Sequence, residues 1–202
     1  IAASVPDTLA TPAAPTPKST KAAKPAKVAL ARIPQRVFYG NAMSTMLSSM
    51  AAQAETKPFH SNPHHAAHSR FIMGYPLPSW QRKLEWPDEL CIRFIESVYA
   101  GVYLGLYIYN ESMSRAPQLD GLLIDGQQRL SAIERYMAGE LAVPGPDGKA
   151  HRWPDLTDEE KAHFYRIPFG FQIVQIHDEA ELKRLYNLMN FGGIAHRPEQ
   201  RA

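Results

Sequence analysis

Apolar positions along the chain switch between two periods from residue 71 onward. Helical spacing at Leu90, Phe94, Ile95 and Val98 predicts a helix over Asp88 to Ala100, with Pro87 leading in and Gly101 as a left-handed stop. Leu130, Ile133 and Met137 predict a second helix, Gln127 to Ala138, closed by Gly139. Leu182, Leu185 and Leu188 predict a last helix that starts at Asp178 and ends at Asn190, before Gly192-Gly193. Aromatic and β-branched runs between them predict strands over Val102 to Tyr109, Leu122 to Ile124 and Phe169 to Ile176. Asp147-Gly148 marks a turn within Pro144 to Gly148, and Thr157 to Glu160 is a capping box that opens a short helix.

Upstream the pattern changes. Residues 1–36 are rich in Ala, Pro, Thr and Lys, and repeated prolines forbid a long helix, so this segment reads as a flexible or extended arm. No acid falls between Asp7 and Glu55, while Lys18, Lys21, Lys24, Lys27, Arg32 and Arg36 all do, which makes the arm basic. It is a solvated linker or a tether that lies on nucleic acid or on another protein subunit. Residues 37–70 read as a linker. Met43, Met46, Leu47 and Met50 suit one short helix within Val37 to Gln53, and His60, His64, His65 and His68 fall in a proline-broken exposed loop. Histidines four apart on a helix can share a metal, but Pro58 and Pro63 deny that helix here. The folded domain is expected over residues 71–202.

Composition narrows the classes. An apolar fraction of 45% is that of a globular chain, and a net charge of only +2 excludes polyanion binding by bulk charge. The single Cys91 excludes an internal disulfide and sits in a helical apolar pattern, as a buried thiol does. No stretch is apolar enough to span a bilayer, so no membrane partner is expected, and the N-terminus lacks a secretory signal pattern. Ile1 in first position suits a processed product or a fragment.

Candidate chemistry concentrates at Asp125-Gly126-Gln127-Gln128-Arg129. The string follows an apolar run and opens an amphipathic one, which is a strand, a glycine turn and a helix start. Unpaired N–H groups and the positive end of the helix dipole suit an anion there. An N-cap and a turn glycine are the plainer reading of the same residues. Two further polar segments lie at element edges: Trp80-Gln81-Arg82 and Asn190-Phe191-Gly192-Gly193. Arginine, amides and glycine each suit phosphate, and Asp125 can hold a divalent cation or orient a water. Taken singly, each has a structural explanation: Trp80 and Trp86 as core, Arg82 paired with Glu85 or Asp88 on the surface, Gly192-Gly193 as a helix terminator.

The order of these segments carries a resemblance. Tyr75-Pro76, Trp80-Gln81-Arg82 and Trp86 are followed by Ile124 to Ser131 and then by Leu185 to Gly193. From Phe71 to Ala202 the chain resembles the N-terminal domain family of the GmrSD-type modification-dependent restriction systems, a branch of the ParB/sulfiredoxin-like fold. That resemblance implies an α+β fold, a small mixed sheet with flanking helices, here preceded by the arm. It implies nucleotide binding with slow NTP hydrolysis, linked to DNA restriction or processing. Asp125, Gln127, Gln128 and Arg129 would be catalytic. Gln81, Arg82, Gly126, Arg129, Asn190 and Gly193 would bind the nucleotide phosphates, with Mg²⁺ on Asp125. Members usually continue into a helical region and often a nuclease domain, and Ser131 stands where threonine is common.

Two other functions fit the same residues. One is a non-enzymatic component of a larger assembly such as a phage particle, with the arm clasping neighbouring subunits. The other is a DNA-binding, nuclease-like protein in which the arm neutralises phosphates. The expected location is the cytoplasm of a bacterial or phage-infected cell, or a virion.

Overall fold

The computed structural model describes residues 38–65, 68, 70–112 and 115–191. Strand β1 (Gly40–Met46) runs directly into helix α1 (Leu47–Thr56), and a 3-10 turn (Pro63–His65) leads to a small hairpin, β2 (Phe71–Ile72) and β3 (Tyr75–Pro76). Next come α2 (Asp88–Tyr99), β4 (Tyr107–Asn110), a 3-10 turn (Pro117–Leu119), β5 (Leu123–Asp125) and α3 (Gln127–Met137). A second hairpin, β6 (Ala142–Pro144) and β7 (Ala150–Arg152), precedes α4 (Asp158–Tyr165), β8 (Pro168–Val174) and α5 (Glu179–Phe191). The fold is α+β, as the resemblance implies.

The main sheet has the order β1-β8-β4-β5 and is mixed. β8 pairs antiparallel with β1 and parallel with β4, and β4 pairs antiparallel with β5. Successive strand residues point to opposite faces, so the sheet divides two apolar cores. Tyr107 and Leu123 face the larger one, beside Cys91, Phe94, Ile95 and Val98 of α2 and Leu130, Ile133 and Tyr136 of α3. Their neighbours Ile108 and Ile124 face the smaller one, beside Leu182, Leu185 and Tyr186 of α5. β5 is thus an edge strand with helices on both sides of it, and its end at Asp125 begins the pentapeptide.

Most element positions agree with the sequence pattern. Gly101 and Gly139 take positive φ after α2 and α3, Gly148 does so in the β6–β7 turn, and Thr157 caps α4 in a reciprocal box with Glu160. Four expectations are corrected. Residues 40–46 form a strand where one helix over Val37 to Gln53 was expected, because all seven pair with β8; the helix starts only at Leu47. The sheet therefore reaches upstream of the start expected at Phe71. The strand expected over Val102 to Tyr109 shrinks to Tyr107–Asn110, since the carbonyls of Leu104 and Leu106 bond the Arg129 side chain instead of a strand. Leu90 is exposed, and Cys91 takes its place on the buried face of α2. His65 is buried rather than displayed on a loop, beside the rings of Phe59 and His68. Residues 1–36 lie outside the described residues.

Asn110 closes the far end of β4. Its buried Nδ2 donates to the carbonyls of Leu119 (2.8 Å) and Ile176 (2.9 Å), and its Oδ1 accepts the Ile176 N–H at 2.8 Å. Asn110→Ala leaves these backbone groups buried without partners and is expected to cost about 3 kcal/mol in urea unfolding. Glu134 on α3 accepts the N–H of Met73, which has positive φ in the β2–β3 turn, at 2.8 Å. Burial holds the Glu134 carboxyl above the usual range, against the pull of the Met73 N–H. The folded state then keeps this proton over a pH interval in which the unfolded chain has lost it. Stability falls as pH rises through that interval, from the ordinary glutamate pKa up to the raised one. Urea unfolding across a pH series is expected to find this slope reduced in Glu134→Gln.

Candidate functional site

The chain leaves β5 and enters α3 through Gly126, whose φ is 97°. A Cβ at this position would meet the Tyr107 Cβ at 2.6 Å, so both the backbone angle and the close approach to β4 require glycine. No side chain caps α3, and its first intrahelical bond runs from the Leu130 N–H to the Gly126 carbonyl at 2.9 Å. The N–H groups of Gln127, Gln128 and Arg129 therefore have no acceptor within the helix. They sit beside a small pocket of about 110 Å³.

All three polar segments line that pocket. Gln81 and Arg82 come from the stretch before α2, Asp125 to Arg129 from the turn, and Asn190 from the end of α5, with Tyr186 and Trp86 completing the wall. Gly193 lies outside the described residues. Trp80 joins the first segment to α5: its Nε1 donates to Glu179 Oε1 at 3.0 Å and its ring meets Tyr186 edge-on.

Most of the polar side chains are engaged by backbone. Gln81 is 5% exposed, and its Nε2 donates to the carbonyls of Leu123 (2.6 Å) and Ile124 (3.0 Å) on β5. Gln128 holds the stretch before α2 at three points. Its Oε1 accepts the N–H of Glu85 (3.1 Å) and of Trp86 (3.2 Å), and its Nε2 donates to the Lys83 carbonyl at 3.3 Å. Arg129 donates to the carbonyls of Leu104 (2.7 Å) and Leu106 (2.8 Å) and to Asp125 Oδ2 (2.7 Å). Arg82 makes an exposed ion pair with Glu85 at 3.0 Å, and Asn190 Nδ2 donates to the Tyr186 carbonyl at 2.9 Å.

Two acceptors remain. Gln127 is 5% exposed and its Nε2 donates to the Arg82 carbonyl at 3.1 Å, but its Oε1 is buried with no hydrogen-bond partner. Asp125 bonds Arg129 through Oδ2 alone, which leaves Oδ1 without a partner among the described residues. The pocket thus combines uncapped helix amides, two guanidinium groups and two open acceptors. A group the size of a phosphate fits it. Among the described residues no cluster of three or more His, Cys, Asp or Glu is arranged for a metal, and Asp125 is the only acid lining this pocket. A divalent cation would need further ligands from the bound molecule itself.

Sequence reasoning did not find the bracing role of Gln128, or the link from Arg129 back to residues 104 and 106. The available signal for Gln128 was spacing, since it precedes Ser131 and Ala132 by one helical turn and so shares their buried face. Cys91 lies apart from the pocket, buried on α2, where burial pushes its thiol pKa up. Arg129→Lys keeps the charge but cannot bridge two carbonyls and a carboxylate. It is expected to destabilise the protein by about 2 kcal/mol in urea unfolding.

The family model described as GmrSD restriction endonuclease, N-terminal domain, matches residues 66–191, more than half of the chain. The match takes in the pentapeptide, Gln81, Arg82 and Asn190; it begins after β1 and α1 and ends before Gly193. No curated protein and no solved structure matches the chain. No helix among the described residues is long and apolar enough to cross a membrane. The chain belongs to the family of the N-terminal domain of the GmrSD restriction endonuclease.

Proposed function

We propose that the pocket binds the phosphates of a nucleoside triphosphate and hydrolyses it slowly, as the nucleotide-responsive part of a DNA restriction system. The observation that carries this reading is Gln127 Oε1, a buried acceptor without a partner beside an uncapped helix start. Terminal phosphate oxygens accept from the N–H groups at the start of α3, and the helix dipole favours their charge. Arg82 leaves its exposed pair with Glu85 to bind a phosphate oxygen; such an exposed pair contributes little to stability. Arg129 adds positive charge to the wall while it keeps Asp125 in place. Asp125 Oδ1 would hold the Mg²⁺ that enters with the nucleotide, which would supply charge neutralisation at the phosphates.

Gln127 Oε1 accepts a hydrogen bond from a water and aligns it with the terminal phosphorus. The water oxygen forms the new P–O bond, the bond to the bridging oxygen breaks, and the water proton passes to solvent. Positioning and electrostatics of this kind supply most of the catalysis in phosphoryl transfer. DNA as a partner, and protein subunits gripped through residues 1–36, belong to the same proposal; that segment lies outside the described residues.

A second reading, ligand binding without turnover, is favoured by one observation. Gln81, Gln128 and Arg129 are committed to backbone groups and so support the pocket rather than react in it. Binding of fluorescent ATP and GTP analogues with Mg²⁺, together with phosphate release, separates the two. The wild type is expected to bind and release phosphate. Gln127→Leu should keep its affinity but lower release about 100-fold, and Arg82→Ala should weaken binding about tenfold. A wild type that binds neither nucleotide overturns both readings. Binding with no release overturns hydrolysis and leaves the second reading; full release from Gln127→Leu overturns the role given to Gln127 and the second reading alike.

A further inference from the structure

The geometry points to a second docking surface: the groove bounded by α2, the end of α3, the β6–β7 hairpin and the start of α4 receives a lysine- or arginine-rich segment of a protein partner. The groove measures about 800 Å³. Its floor is aromatic. The hydroxyls of Tyr99 and Tyr136 share a hydrogen bond of 2.9 Å, and the His163 ring lies parallel to Tyr99 with centroids 6.3 Å apart. Its rim carries Glu96, Asp147, Glu159 and Glu160, and among the described residues no lysine or arginine lines it.

The only basic groups lining this groove among the described residues are the imidazoles of His151 and His163. Some carboxylates elsewhere pair with arginine, as in Arg82–Glu85, Arg129–Asp125 and Arg135–Asp88. Among the described residues none of the four rim carboxylates pairs with lysine or arginine. Asp147 accepts the Lys149 N–H and binds His151, and Glu160 accepts the Thr157 N–H and hydroxyl; these bonds hold both carboxyls below the usual range, so they stay ionised. Carboxylates around a groove select cations by Coulomb attraction, and the apolar floor can cover the aliphatic stems of lysine or arginine. Nucleic acid is repelled by the same rim. The volume exceeds what one ammonium group needs and suits several side chains of an extended peptide.

This inference is independent of the nucleotide reading. α3 contributes to both places, but Gln127 and Tyr136 stand at opposite ends of it. The test uses the full chain and a labelled decamer of alternating alanine and lysine, with an alternating alanine and glutamate decamer as control. Fluorescence anisotropy is expected to detect binding of the lysine decamer alone, weakening with salt, and NMR is expected to show the His163 ring signals moving on titration. Glu96 and Glu159 have no side-chain hydrogen bond among the described residues, so the double variant Glu96→Gln/Glu159→Gln leaves the fold intact. It should bind the decamer about tenfold more weakly. Equal affinity in the variant, binding without movement of the His163 signals, or no binding at all overturns the proposal. So does spermidine binding as tightly as the decamer, which would make the groove a polyamine site.

Discussion

Backbone polar groups next to an edge strand have no second strand to bond, and leaving them buried without partners is costly. Long polar side chains meet that demand around β5. Gln81 takes the carbonyls of β5 itself, Gln127 and Gln128 take the irregular stretch before α2, and Arg129 takes the carbonyls of residues 104 and 106. The walls of the pocket are therefore irregular backbone pinned by amides and a guanidinium. Loss of Gln81, Gln128 or Arg129, each of which holds two or more backbone groups, moves a wall and not merely a single contact.

This divides the pentapeptide into two kinds of residue. Gln128 and Arg129 are spent largely on the scaffold. Gly126 shapes the turn, while Gln127 Oε1 and Asp125 Oδ1 have no hydrogen-bond partner among the described residues. A motif of four polar residues and a glycine thus holds both the frame and two unpartnered acceptors. Architecture alone would explain Gln128 and Arg129, but it does not explain an acceptor buried beside free helix amides.

The fold was legible where one local rule decided the outcome. Thr157 with Glu160, Gly101, Gly139 and the Asp147-Gly148 turn each act within a few residues, and the apolar stripe of α3 matched its period. It was illegible where distant partners decide. Residues 40–46 have no strand-like alternation; they are a strand because β8 lies beside them. Residues 102–106 have strand composition, yet Arg129, more than twenty positions later, takes the carbonyls a neighbouring strand would need. For the site, the positions of Gln81, Arg82 and Asn190 followed from their resemblance to a family order. Which of two adjacent glutamines would keep a free oxygen depended on where residues 82–86 run, and no local pattern encodes that.

The seven residues of β1 lie outside the stretch that matches the family, yet they shield one whole flank of β8. A recombinant fragment trimmed to residues 66–191 would uncover that flank and offer the row of amides and carbonyls to any passing chain. Such a fragment would be prone to self-association through its bared border. Expression boundaries for this protein belong upstream of Gly40.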